Sequence, residues 1–223
     1  MTSWITYTDS VTTPRRDQPE LNTPRGRRRA ETLREIEQAA IEVMAEDGVA
    51  ALSLTKVAQR VGLKQPSLYQ YVTSRVDLYD ALFQVAATQH LQVTEIAVAA
   101  SSPGWPTVRA ICTATFEFGV ANPVLAQLLF TPAVPGFTPS AEAYAPSVHV
   151  MTLTNQHLRI AVNEHQLRKD AATEEGVGLL ISLVAGIAVQ RAANQPNSSP
   201  GEDRFTALMP AALDMYQAYF APS

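Results

Sequence analysis

Gly62 separates two apolar-periodic segments that are each too short to fold alone. Residues 54–61 place Val57, Ala58 and Val61 on one helical face, and residues 65–71 place Leu68 between Leu63 and Val72. Isolated helices under about 12–15 residues are marginal in water, so longer neighbours must hold both. Such neighbours are present. Leu33, Ile36, Ala40 and Val43 recur at helical spacing over residues 30–47, where Gly48 suits a left-handed stop. Residues 75–99 follow with Val76, Tyr79, Leu82, Phe83 and Ala86. Ser53 suits the N-cap of the first short segment and Pro66 the first turn of the second. Gly62 permits the positive φ of a tight turn, and Ala58 is small enough for close helix approach.

The rest of the chain is punctuated in the same way. Residues 101–106 read SSPGWP and break the pattern. Helices are predicted over 107–121, 123–130, 147–162, 173–193 and 204–220. The segment 131–139 holds three prolines and a glycine and reads as a loop. No segment reads as a strand. The expected class is all-α with about nine helices. Three parts are predicted: a disordered tail with a basic arm (1–29), a helix-turn-helix DNA-binding domain (30–74), and a helical effector-binding and dimerisation domain (75–223).

Charge is distributed unevenly. The formal net charge is −4, yet residues 25–75 carry nine basic and six acidic side chains, and residues 76–223 carry six and twelve. A basic module on an acidic body puts the nucleic-acid footprint at one end. Cys112 is the single cysteine, so no internal disulfide forms. No apolar run reaches the ~18 residues of a membrane span, and the N-terminus does not read as a signal peptide. A soluble, cytoplasmic protein with no membrane partner is expected.

Two short helices joined by a glycine-containing turn, with another packed behind, form the minimal DNA-reading unit. With Leu63, Leu68 and Val72 as anchors, Lys64, Gln65, Ser67 and Gln70 point outward. Gln suits adenine and Lys suits guanine or phosphate. Tyr69 and Tyr71 can donate to phosphates or pack on thymine methyls, unless one of them is core. Arg75 suits a phosphate clamp. Four arginines, Arg25, Arg27, Arg28 and Arg29, form a candidate DNA-reaching arm, with a solvated charge run as the bland alternative.

The run LSLTKVAQRVGLKQPSLYQYVTSRVDLYDAL, residues 52–82, resembles the DNA-binding signature of the TetR family. Ser53, the Val57–Ala58 pair, Gly62, Tyr69, Tyr71, Arg75 and Leu78 stand at its pattern positions; Arg75 replaces the usual lysine. The resemblance covers about residues 30–82 and implies DNA contact by Ser53, Thr55, Lys56, Lys64, Gln65, Pro66, Ser67, Tyr69, Gln70, Tyr71 and Arg75. It further implies a homodimer on a double-stranded operator, and a repressor released by a small-molecule effector. An effector-independent regulator or adaptor with no pocket is the alternative.

Beyond residue 82 the reading is looser. Trp105, Phe116, Phe118, Leu128, Phe130, His149, Met151 and Asn155 are candidates to line a largely apolar ligand pocket, or else are ordinary core. Leu180, Val184 and Ile187, with Leu213, Tyr216 and Phe220, are candidates for a helical dimer interface, or for an intramolecular core. His149, His157 and His165 are eight residues apart, roughly 80° and about 12 Å per step on a helix. With Pro146 and Asn163 arguing against one continuous helix, no metal site and no cofactor is expected. No nucleophile–base pairing marks the chain as an enzyme.

Overall fold

The computed structural model describes residues 23–195, 198 and 203–222; the predicted tail, apart from residues 23–29, lies outside them. Among the described residues there are nine α-helices, two 3-10 turns and no strand. The first helix, α1 (Pro24–Asp47), starts earlier than the apolar stripe suggests. The Thr23 hydroxyl accepts from the Gly26 N–H at 3.0 Å, and Pro24 occupies the first turn. This Thr-Pro start folds Arg25 to Arg29 into the helix, so the basic arm is helical and the helix begins before the expected residue 30. Gly48 has φ 94° and ψ 151°, a glycine-only region outside the left-handed helical well.

A 3-10 turn (Val49–Ala51) leads to α2 (Leu54–Arg60), capped by the Ser53 hydroxyl. Gly62, at φ 69°, turns the chain into α3 (Gln65–Leu68), which is only four residues long. The longest helix, α4 (Arg75–Ala99), is capped by Ser74, whose hydroxyl accepts from the Asp77 N–H at 3.0 Å. The body is built from α5 (Trp105–Ala121), α6 (Pro123–Phe130), α7 (Ala141–Asn163), α8 (Glu174–Asn194) and α9 (Leu208–Tyr219). Helix α7 runs straight through Pro146. That proline removes one donor near the start of the helix, and the carbonyl it orphans belongs to Glu142, which is exposed to water.

Two cores form. One joins Ile36, Val43, Val57, Leu68, Leu78 and Leu82 of α1 to α4 with Leu128 of α6 and Ala143 of α7. The division expected at residue 74 therefore crosses a continuous core. The other joins Trp105, Leu158, Leu180, Leu213 and Tyr216 across α5, α7, α8 and α9. Trp105 stacks on Tyr216 with ring centroids 5.3 Å apart, and the Tyr216 hydroxyl donates to the Ala171 and Gly176 carbonyls.

This second core corrects the expected dimer residues. Leu180, Val184, Leu213, Tyr216 and Phe220 are buried within the chain, and Ile187 packs beside them. The apolar side chains open to solvent on the same helices are Leu179, Ile181, Val189, Leu208, Met215 and Tyr219. Helix α8 is also long and apolar enough to cross a membrane, by length and composition only. Between α8 and α9, Arg191 Nε donates to Asp203 at 2.9 Å in a buried pair. Burial pushes the Asp203 carboxyl up, but bonds from Thr206 and Arg191 outweigh it and hold the group at about 2.

Candidate nucleic-acid interface

The α2–α3 unit exposes one row of polar side chains. Leu68 and Val72 are buried beneath α3, and Val61 and Leu63 pack at the edge of the same core. That anchoring leaves Lys64, Gln65, Pro66, Tyr69 and Gln70 exposed, with Ser67 half-buried. Tyr69 is 45% exposed. Tyr71 instead packs against the core under the Arg29 guanidinium, whose carbon lies 5.0 Å from the ring centroid. The two tyrosines thus divide the roles that the sequence left open between them.

The other expected contacts are placed differently. Ser53 is engaged as the α2 cap. Thr55 is exposed and its hydroxyl donates to Gln65 Oε1 at 3.3 Å, tying the starts of α2 and α3 together. Lys56 is exposed, but its ammonium donates to both Asp47 oxygens at 2.7 and 2.9 Å. Arg75 is exposed at the first position of α4, and Arg25, Arg27 and Arg28 are exposed on the first turns of α1. Arg29 is turned inward: its Nη2 donates to the Gln70 carbonyl at 2.9 Å.

Helix α4 links this unit to the body. The Tyr79 hydroxyl donates to the Val49 carbonyl at 2.6 Å, and its ring lies 5.7 Å from Phe137 of the α6–α7 loop. Burial raises the Tyr79 pKa, so the phenol stays a donor. One residue on, the Asp80 carboxylate accepts from the Ser140 N–H and hydroxyl at 2.7 and 2.8 Å. Ser140 is itself the α7 cap, so one loop is fastened to α4 at both Phe137 and Ser140.

Beside that loop lies a recess of about 280 Å³, walled by Phe83, Leu128, Phe130, Phe137, Pro139 and Tyr144 among others. Of the eight residues expected to form a pocket, the structure brings only Leu128 and Phe130 into it. Trp105, Phe116 and Phe118 are buried core, which corrects their assignment as lining. His149 is exposed, Met151 half-buried, and Asn155 borders a separate open recess of about 550 Å³ on α7. His149 and His157 share α7, as the helix predicted over 147–162 has them, and His165 lies past its end. His157 is buried and its Nδ1 accepts from the Gly104 N–H at 3.3 Å, so its ring is occupied as a cap for the turn before α5.

Sequence reasoning missed His90. It is buried on α4, hydrogen-bonded to the Thr115 hydroxyl at 2.8 Å, with Phe118 and Phe130 ring centroids at 5.4 and 5.2 Å. Burial lowers its pKa to about 4. Its position four residues after Ala86 and seven after Phe83, on the apolar stripe of α4, was the available signal.

Comparison with known proteins agrees with this geometry. Residues 36–82 match the family model described as bacterial regulatory proteins, tetR family. The chain is 30% identical over 95 residues to the HTH-type transcriptional activator FasR of Mycolicibacterium smegmatis, covering 43% of this chain and 42% of FasR. It is 40% identical over 53 residues to the class D tetracycline repressor protein of Escherichia coli, covering 23% of this chain and 24% of that protein. The matches thus span less than half the length of these curated relatives. The fold extends further. The crystal structure of the transcriptional regulator FadR from Bacillus subtilis, in complex with stearoyl-CoA, superposes with a TM-score of 0.66 at 14% identity, over 83% of this chain and 97% of that one. With the exposed reading surface inside the matched segment, residues 36–82 form a helix-turn-helix unit that matches the tetR family, set on an all-α body.

Proposed function

We propose that this chain is a homodimeric, sequence-specific DNA-binding transcriptional regulator, a repressor that a small, largely apolar effector releases from its operator. The observation that carries the reading is the surface at and around α3, with Lys64, Gln65, Tyr69 and Gln70 exposed and Ser67 half-buried, held from behind by Leu68 and Val72. Its donors and acceptors suit major-groove base edges, and Arg25, Arg27, Arg28 and Arg75 suit flanking phosphates. One such unit covers few base pairs, so two copies about 34–36 Å apart are needed to read successive grooves. The solvent-facing apolar side chains of α8 and α9 supply a surface for the second copy. Acting on DNA, the protein works in the cytoplasm.

Release follows if the effector binds one conformer more tightly than the other. The recess beside Phe83 and Phe137 touches α4 next to the residues that hold the helix-turn-helix, and its apolar walls favour an apolar ligand. The stearoyl-CoA of the FadR complex is a precedent for that ligand class within the fold. A second reading, an effector-independent regulator, is favoured by the close packing of Trp105, Phe116 and Phe118 where a deeper pocket was expected.

The deciding experiment is a mobility shift on the DNA upstream of the protein's own gene, beside random-sequence selection, with Tyr69→Ala as control. A specific, salt-sensitive shift that the variant loses supports the regulator. No shift on any duplex, at any salt, overturns it. If the shift is seen, a screen of apolar compounds for its release separates the two readings.

A further inference from the structure

Of the four arginines at the start of α1, three are exposed and one is not. Arg25, Arg27 and Arg28 stand in solvent, while Arg29 reaches across 41 residues of sequence to the end of the recognition helix. There its guanidinium makes two contacts at once. Nη2 donates to the Gln70 carbonyl at 2.9 Å, and the guanidinium carbon sits 5.0 Å from the Tyr71 ring centroid. Helix α3 ends at Leu68, and the chain turns through Tyr69 to Val72 before α4. Carbonyls at such an end have lost their helical donors, and a cation there also suits the helix dipole.

We propose that Arg29 is a positioning residue for DNA reading: it fixes the Gln70–Tyr71 end of the recognition helix to α1 instead of contacting phosphate itself. The inference rests on the proposed role of this surface in binding DNA. Its consequence is geometric. Arg25 and Arg28, one turn apart on α1, and the exposed row of α3 then approach the duplex as one rigid body with fixed spacing. Lysine is no substitute, because a compact ammonium does not combine an in-plane donor with a flat face for the ring.

The test measures duplex binding across a salt series for the wild type and for Arg25→Ala, Arg28→Ala, Arg29→Lys and Arg29→Gln, with amide hydrogen exchange of residues 69–74 followed without DNA. A phosphate contact contributes about 0.9 to the slope of log affinity against log salt. Arg25→Ala and Arg28→Ala are expected to flatten the slope by about one contact each. Arg29→Lys and Arg29→Gln are expected to behave alike. Both keep the wild-type slope, weaken specific binding about tenfold, narrow the gap to non-specific DNA, and speed exchange at residues 69–74. An Arg29→Lys variant that binds like wild type, beside an Arg29→Gln variant with a flattened slope, overturns the proposal and makes Arg29 a phosphate contact. Unchanged exchange in both variants also overturns it. Wild-type protein that binds no duplex fails the DNA-binding reading instead, and is seen before any variant is compared.

Discussion

Lys56 and Lys64 carry the same charge on neighbouring helices, yet their surroundings give them different work. Lys56 is held by Asp47, and Lys64 stands exposed at the start of α3. Lys64→Ala is expected to weaken operator binding by about 1–3 kcal/mol and to lower the salt slope by about one contact. Lys56→Ala is expected to leave binding nearly unchanged and to lose under ~1 kcal/mol of stability, as exposed pairs do. Anisotropy titrations over salt, with urea melts alongside, check both. His90 makes a different prediction. Its folded pKa of about 4 lies below the ordinary 6.5, so the unfolded chain takes up the proton first as pH falls. Stability is then present above pH 6.5 and is lost between 6.5 and about 4. This one group accounts for on the order of 2–3 kcal/mol. Urea unfolding between pH 7 and pH 4 is expected to show a shallower decline in His90→Asn than in wild type.

At the scale of elements, α4 is the longest of the members that join the body to the reading head. Its two fastenings are separable. Tyr79→Phe removes the donor to the Val49 carbonyl and keeps the ring against Phe137; urea unfolding should show a loss of about 1–2 kcal/mol. Helices with marked ends were legible in the sequence. α4 and α6 occur at their predicted limits, because Ser74 and the Asn122–Pro123 pair announce their starts. α1 was read too short because a run of arginines looks like a solvated arm, although arginine is a good helix former and Thr23–Pro24 was a start signal. α7 starts before its predicted limit at 147 because a proline near a helix start, here Pro146, breaks little. The reading surface was legible because α3 is short and its anchors are unmistakable. The pocket and the dimer face were not. On a helix as evenly apolar as α8, periodicity does not separate Leu180, which is buried in the second core, from Leu179, which faces water. Which of the apolar side chains meet around a recess depends on helix packing, and no spacing along one chain encodes it.

For the whole molecule, the exposed faces of α8 and α9 predict assembly. Leu179→Arg with Ile181→Arg is expected to yield a folded monomer by analytical ultracentrifugation that no longer binds a two-half-site duplex. Leu180→Ala instead is expected to act within the chain and to lower stability by about 2–5 kcal/mol, since its side chain is 2% exposed. Finally, a four-residue recognition helix has almost no stability of its own. Its shape is imposed by Leu68 and Val72 below, and the side chains at positions 64, 65, 67 and 70 contribute little to the fold beyond the exposed Thr55–Gln65 bond. Those four positions can therefore drift over generations, or be randomised in a library, without threatening the molecule that carries them. A protein built this way acquires new operators more readily than new shapes, because the letters it reads with are not the letters it folds with.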